Sequence, residues 1–532
     1  MSIDLVSSTD PRFPELNRGR ASGLFPTPQE SAAAIALCPT ADDVAQALEQ
    51  TLHAGKRPTI LSGGHCYEGF VFNNPGGTII DVRPMAGVTQ DPTTKRWKIE
   101  SGATVSEMYL AMYNAGYTIP AISCTNTVGV GGSISGGAYG YMSRLMGIAP
   151  DWVTAVDILT VDAKGKVQLR HADKSNDPDL LRACRGSGGG QYGIVTAFYC
   201  DTLPAAPKEK LSGRVSFDWG NMTPERLYRI LYLYSNYFDT RGRDPDTWGL
   251  FTILDLSPVD PARPGRFGMS LEFCNPDGTA QDTKVLDEFF AVFDECKPVS
   301  ELAHHPSMPG ADHRPDPSGP GEIVCLATHN AMLRPFSNSI GIAQRPANAP
   351  GGPSAARVPA SGPPRLPRKQ KYKSAYMRKP YTKEEAAVLF KYMTDGNQYG
   401  RGVSVAMDSF GGAASKPGLL ESTSDAHRDS IIKMQFITGW TDAADDKPRA
   451  EWFDRFYTDL WSASSNGKHS GTPYFSDRHE GCYINYPDSD MLKYSYWPQL
   501  YWGNGKLYPF LQHVKKKYDP SNVFHHSMSV RA

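Results

Sequence analysis

The residues able to do chemistry fall into five short segments. The first is Ser62-Gly63-Gly64-His65, directly after the apolar run Thr59-Ile60-Leu61. Adjacent glycines let backbone N–H groups approach an anion closely, so this loop can cradle a diphosphate. No G-K-[ST] follows, which excludes a Walker loop. The glycine spacing is wrong and no helix follows, which excludes a dinucleotide fingerprint. By itself the segment leaves His65 readable as a turn histidine satisfied by backbone. The second segment, Cys124 to Tyr141 (CTNTVGVGGSISGGAYGY), holds six glycines between 129 and 140. Such a backbone can lie against a flat or charged ligand at several points. Val128, Val130 and Ile134 alternate like a half-buried strand, which favours a packed site over a surface loop. The third is Arg185 to Gly190 (RGSGGG), followed by Gln191-Tyr192-Gly193-Ile194-Val195-Thr196. The fourth is Gly481 to Asp488 (GCYINYPD), and the fifth is Lys517 to Phe524 (KYDPSNVF).

Two residue types, one of them outside these segments, could move protons. A tyrosine, with an ordinary pKa near 10, acts as a base only where its phenolate is stabilised. Otherwise it is an aromatic filling the core with its hydroxyl satisfied. Read as a strand, 481–486 puts Tyr483 and Asn485 on one face and Ile484 and Tyr486 on the other. Asp408, three residues before Gly411-Gly412, is a candidate carboxylate or equally a solvated strand-end aspartate.

The elements that must position these segments are short. Residues 40–54 read as an amphipathic helix with Thr40 at its N-cap and Val44, Leu48 and Leu52 at helical spacing. Strands are predicted at 57–61, 76–82, 153–161 and 193–200, with strand, turn and helix across 97–117 and a hairpin turn at 162–167. Beyond about residue 211 the pattern becomes strands (404–412 and 430–440 among them) alternating with helices such as 384–395, as in an antiparallel sheet backed by helices. Residues 306–371, rich in Pro, Gly, Ala and Ser, read as a long loop or linker rather than a folded element. The last helix is predicted at 506–518.

Composition removes several function classes. The chain has 532 residues, with 55 Lys+Arg against 56 Asp+Glu, a formal charge of −1. That balance argues against a nucleic-acid or membrane-surface binder. No apolar run approaches the roughly 20 residues of a membrane span. No signal peptide is seen at the N-terminus, so a cytoplasmic location is expected. Nine scattered cysteines do not form a disulfide framework. No metal site is expected.

Taken in order, the five segments resemble the berberine-bridge-enzyme-like FAD-linked oxidases of the vanillyl-alcohol-oxidase (PCMH-type) superfamily. The carrying residues are the strand with SGGH, the VGVGG-x-x-x-GG-x-YG run, RG-x-GGG-x-x-GIVT, Y-x-N-Y and KYDP-x-NVF. The SGGH-C segment, INYPDSD and FITGW look most like hexose oxidases of glycopeptide-antibiotic biosynthesis. The resemblance implies an α+β fold: an FAD-binding domain of two α+β subdomains over 1–210, a substrate domain with a large antiparallel sheet over 211–470, and a C-terminal segment, 471–532, returning to the first.

It also implies roles. His65 would carry the flavin 8α-methyl covalently. Ser62, Gly63, Gly64, Val128, Gly131, Gly132, Ser133, Gly193, Ile194, Val195 and Asn485 would line the cofactor. A second bond to flavin C6 would come from Cys124. Here Cys124 precedes Val128 by four residues where family members have three, and Thr125 holds the counted position. Counted from Thr118-Ile119-Pro120, Cys124 is at the usual spacing, so one inserted residue accounts for the offset. The alternative is a flavin bound through His65 only, with Cys124 a small buried hydrophobe. Cys66, adjacent to His65, is expected to point elsewhere. Tyr483 would be the general base, supported by Tyr139, with Asp408 beside Tyr483 as a proton relay. Val128, being small, would admit oxygen to the flavin. The implied activity is an FAD-dependent oxidase acting on a hydroxyl of a sugar or glycosylated secondary metabolite, with O2 reduced to H2O2. Oxidative cyclisation or C–C bond formation on an aromatic or alkaloid-like compound is the alternative on the same fold. A flavin-binding scaffold without turnover is the reading from another class.

Overall fold

The fold is described from a computed structural model covering residues 3–19, 26–121, 128–260, 264–299, 322–325, 330–336, 369–465 and 467–532. Thr40 caps the helix Ala41–His53 as expected: its side chain accepts from the Asp43 N–H, and the Asp43 carboxylate accepts from the Thr40 N–H. Val44, Ala47 and Leu48 face inward from it. The helix crosses over between the strands Ala34–Leu37 and Pro58–Leu61, which flank Thr78–Asp81 as a parallel trio with Asp4–Ser7 antiparallel at the edge. A second sheet of five antiparallel strands contains Trp97–Glu100, Ile194–Cys200 and Ala155–Val161.

The third sheet has eight antiparallel strands. At its centre Arg266–Phe273, Leu250–Leu256, Ser404–Ser409 and Ile432–Trp440 are neighbours, with Lys369–Met377 at one edge. The helices Pro224–Asp239, Lys383–Thr394 and Asp446–Ser462 pack together. They are tied to the sheet by Tyr234, which donates to the Met407 carbonyl at 2.6 Å, and by Tyr457, which donates to the Ser374 carbonyl at 2.7 Å. The fold is therefore α+β, as the sequence indicated.

Three expectations are corrected. Val130–Ser135 is a short helix, not a strand. It is fixed by tertiary contacts at its start: Val130 N–H donates to Ala103 and Gly131 N–H to Ser101. Residues 481–486 are not a strand: 483–486 form a turn in which Tyr486 N–H donates to the Tyr483 carbonyl. Within the stretch 306–371, Glu322–Cys325 and Asn330–Pro335 are strands of the large sheet, and Lys369–Met377 begins there. Among the described residues no helix is long and apolar enough to cross a membrane, and no group of three His, Cys, Asp or Glu could hold a metal ion.

Candidate active site

A cavity of about 480 Å³ runs between the glycine loops and one face of the eight-stranded sheet. The loop 62–65 leaves the carboxyl end of the parallel strand Pro58–Leu61, where open α/β sheets commonly hold ligands. Ser62 fixes it by donating to the Ser101 carbonyl at 2.7 Å. Gly129 packs against the same loop. A Cβ at 129 would lie 2.2 Å from both Gly63 N and Ser62 Oγ, so only glycine fits. Gly193 is equally constrained, with Leu159 O 2.3 Å from its Cβ position.

Gly132 differs, because its Cβ position meets nothing within 4 Å and faces the cavity. Gly188, Gly189 and Gly190 line the cavity beside it, a Cβ at 189 lying 3.7 Å from the Gly132 Cα, and two of the three are at positive φ (110° and 67°). Among the described residues no lysine or arginine lines the cavity, so an anion there would be met chiefly by backbone N–H groups. A glycine floor open to a flat ring, continuous with a strip of exposed backbone, fits a flavin with its diphosphate. Phe70 stacks on His526 at 4.0 Å at the far end, where burial pushes the His526 imidazole down to about 3.

At the sheet end stand the proton-handling groups. Tyr483 is buried. Its hydroxyl donates to the Gly137 carbonyl at 3.0 Å and accepts from Asn485 Nδ2 at 3.1 Å. Asn485 also donates to Ser133 O at 3.0 Å, and Gly136 leaves room for it: a Cβ there would lie 2.0 Å from Asn485 Oδ1. The Tyr139 hydroxyl donates to the Asp408 carboxylate and accepts from the Lys433 ammonium. Lys433 is fully buried, 3.6 Å from Asp408 Oδ2. It lies 3.9 Å from the Tyr486 ring centroid, 4.0 Å from that of Tyr139 and 5.0 Å from that of Tyr483. Burial pushes the Tyr139 phenol well up, and the Asp408 charge pushes the same way. Burial also raises Tyr483, with the Asn485 hydrogen bond opposing it. Asp408 is raised by burial against the pull of Lys433 and Tyr139.

The structure brings Ser62, Gly63, Gly64, His65, Val128, Gly131, Gly132, Ser133, Gly193, Ile194, Val195, Tyr139, Asp408, Tyr483 and Asn485 around this one cavity. Cys124 lies outside the described residues. Cys66 also lines the cavity, contrary to expectation, but burial pushes its thiol up to about 12, leaving it protonated. Asp408 partners Tyr139 rather than Tyr483. Tyr486 belongs to the same aromatic cluster as Tyr483, their centroids 5.0 Å apart, because the turn folds it back. Sequence reasoning missed Lys433. The available signal was a lone lysine sharing a strand face with Gln435 and Ile437 in an otherwise apolar run.

This architecture defines a flavin-dependent oxidoreductase with a PCMH-type fold. The model of the FAD binding domain family matches residues 32–169, and that of the berberine and berberine-like family matches 482–531. The aclacinomycin-N/aclacinomycin-A oxidase of Streptomyces galilaeus is 30% identical over 516 residues, covering 92% of this chain and 84% of that protein. The hexose oxidase of Chondrus crispus is 28% identical, covering 88% and 84%. A solved glycopeptide hexose oxidase complexed with teicoplanin superposes with a TM-score of 0.79 at 28% identity, over 100% of this chain and 99% of that one. The chain belongs to the berberine-bridge-like FAD-linked oxidases.

Proposed function

We propose that this oxidase removes a hydride from a hydroxyl-bearing carbon of a sugar or glycosylated natural product, with O2 as final acceptor and H2O2 as product. The observation that carries the reading is the buried Tyr139–Asp408–Lys433 triad packed against Tyr483 at the sheet end of the cavity. Its support from known proteins is the aclacinomycin oxidase and the two hexose oxidases, which act on such molecules by name. FAD, when bound, supplies the two-electron acceptor, and His65 is the residue that would hold it covalently. In the same reading residues 1–210 hold the cofactor, 211–470 the substrate, and 471–532 close the site.

Tyr483 takes the hydroxyl proton. Its oxygen already accepts the Asn485 N–H, which favours the phenolate, and the Lys433 charge is within cation–π range of its ring. Tyr139 and Asp408 orient the carbinol and carry the proton onward. The carbinol carbon loses two electrons and becomes a carbonyl. O2 accepts those electrons with two protons. A second reading makes Tyr139 the base, because Lys433 touches its oxygen directly. The adjacent Asp408 carboxylate argues against it by opposing a second negative charge.

Peroxide release should be screened against sugars and glycosylated metabolites, with anaerobic flavin reduction measured on any hit. Acid-precipitated protein should stay yellow through a peptide containing His65. Absence of peroxide and of flavin reduction with every hydroxyl compound would remove this reading.

A further inference from the structure

One row of the sheet beyond the tyrosine cluster has no part in the oxidation just described. Asp255 pairs with Ala406, and Ala406 with Gln435, across three neighbouring strands. All three line the cavity. Paired residues and residues two apart share a sheet face, so Asp255 stands on the face that carries Asp408, whose own partner is Ile253. Two residues along a strand span about 7 Å, and two strand spacings put Asp255 and Gln435 roughly 10 Å apart. The Ala406 methyl leaves a notch between them, bordered by a carboxylate and an amide.

Asp255 is treated differently from Asp408. The charge of Asp408 is met by Lys433 and Tyr139. Asp255 is open to the cavity and, among the described residues, makes no ion pair within 4 Å. Ser404 donates to it, while Asp408 repels it from the neighbouring strand and Arg214 attracts it from two strands away on the other side. Asp255 therefore presents an accessible carboxylate to the cavity that no neighbouring cation neutralises by direct contact among the described residues.

On the proposed function, the geometry points to Asp255 as a specificity-determining residue. It would hold a second hydrogen-bond donor of the substrate, a hydroxyl or an ammonium group, while the carbinol reacts beside Tyr139 and Tyr483. Gln435 would border the same ring from the far side. The separation from Asp408 suits polar groups at opposite positions of a single hexose-sized ring.

The test uses flavin-loaded wild type, Asp255→Asn and Asp255→Leu. The probes are a glycoside that reduces the wild-type flavin, its analogue lacking the hydroxyl across the ring, and its amino analogue. Asp255→Leu should raise KM for the glycoside about tenfold or more, as loss of a hydrogen bond to a charged group does. The rate of flavin reduction at saturation should stay within about threefold. If the donor is a hydroxyl, Asp255→Asn should change KM by less than about threefold, because an amide still accepts. If it is an ammonium group, Asp255→Asn should raise KM as Asp255→Leu does. Wild type should lose the same factor on the deoxy analogue, and Asp255→Leu should lose nothing further. An unchanged KM in Asp255→Leu would overturn the inference. Failure of the wild type to oxidise any hydroxyl compound would instead defeat the proposed function. Titration of the flavin absorbance with the same glycosides then still reads binding, and equal affinity in wild type and Asp255→Leu would overturn the role of Asp255 on its own.

Discussion

Tyr139 and Tyr483 share one aromatic cluster, and their neighbours separate them. Tyr139 holds a carboxylate on its oxygen, whereas Tyr483 holds an amide N–H and a backbone carbonyl. Under the proposed mechanism Tyr483→Phe should slow anaerobic flavin reduction by about 10²–10⁴-fold, with substrate affinity little changed. Tyr139→Phe should cost less. The reverse ranking would make Tyr139 the base. Lys433→Met removes the cation beside both rings, so the phenolate forms less readily. The pH profile of flavin reduction should then move to higher pH. A second residue-scale prediction concerns Asp255, raised to about 6 by burial and the Asp408 charge. An acid whose folded pKa lies above its unfolded value of 3.8 contributes stability below that value and loses it as pH rises through about 6. Asp255→Asn should therefore raise Tm relative to wild type at pH 8 and not at pH 4, by a small amount since water in the cavity screens the charge. That His65, Tyr139, Asp408 and Tyr483 gather at one cavity was legible because each sits inside a continuous motif, whereas the pairing of Asp408 with Tyr139 was not. Lys433 and Asp255 were not. Their partners lie on other strands, and register across a sheet is not written in a local string.

At the scale of elements, Gly129 and Gly132 make opposite predictions although they are three residues apart, one just before the helix Val130–Ser135 and one within it. Alanine at 129 would drive a methyl into Gly63 N and Ser62 Oγ. Gly129→Ala should lower Tm and empty the site together, since it displaces the loop that leads to His65. Gly132→Ala meets open space, so the protein should fold with a wild-type Tm while flavin content per mole falls, as read by absorbance after desalting. Retention of full flavin in Gly132→Ala would mean that the ring does not lie over this position. The helix Ala41–His53 was legible from its capping threonine and its apolar spacing, which act locally. The helix Val130–Ser135 was not. It is six residues long and glycine-rich, too short to show a 3.6-residue period and too weak in propensity to form without Ala103 and Ser101 accepting its first N–H groups. The turn at 483–486 escaped for a related reason. Two tyrosines three apart look alike whether the chain is extended or bent, and tertiary contacts choose the bend.

For the whole molecule, the first and last parts of the chain close on one another. Tyr483 to Pro487 and Phe524 to His526 line the same cavity as Ser62 to Tyr67, Gly129 and Gly131 to Ser133. The contact that returns the C-terminal segment is built around Lys515, fully buried at the end of the helix Leu507–Tyr518. Its ammonium donates to Gln191 O at 2.7 Å, to Asp519 Oδ2 at 2.6 Å and to Phe524 O at 2.5 Å. Val530 N–H donates to Gln191 Oε1 at 2.8 Å, and Trp502 Nε1 to Ser187 O at 3.0 Å. Gln191 belongs to the glycine segment that walls the cavity, so one buried cation joins that wall to Phe524. The length of this return, more than 300 residues in sequence, kept it from being read except through the family pattern. Removing one partner of a buried ion pair typically costs about 3–5 kcal/mol. Lys515→Met should sit near the low end of that range, because the Val523 and Phe524 N–H groups still satisfy Asp519. The urea midpoint should fall accordingly. If the segment also shapes the cofactor site, the fraction of flavin surviving acid precipitation should fall with it, and excess FAD during refolding should recover part of the midpoint by mass action. A lowered midpoint with undiminished covalent flavin would show that the return stabilises the molecule without organising the site.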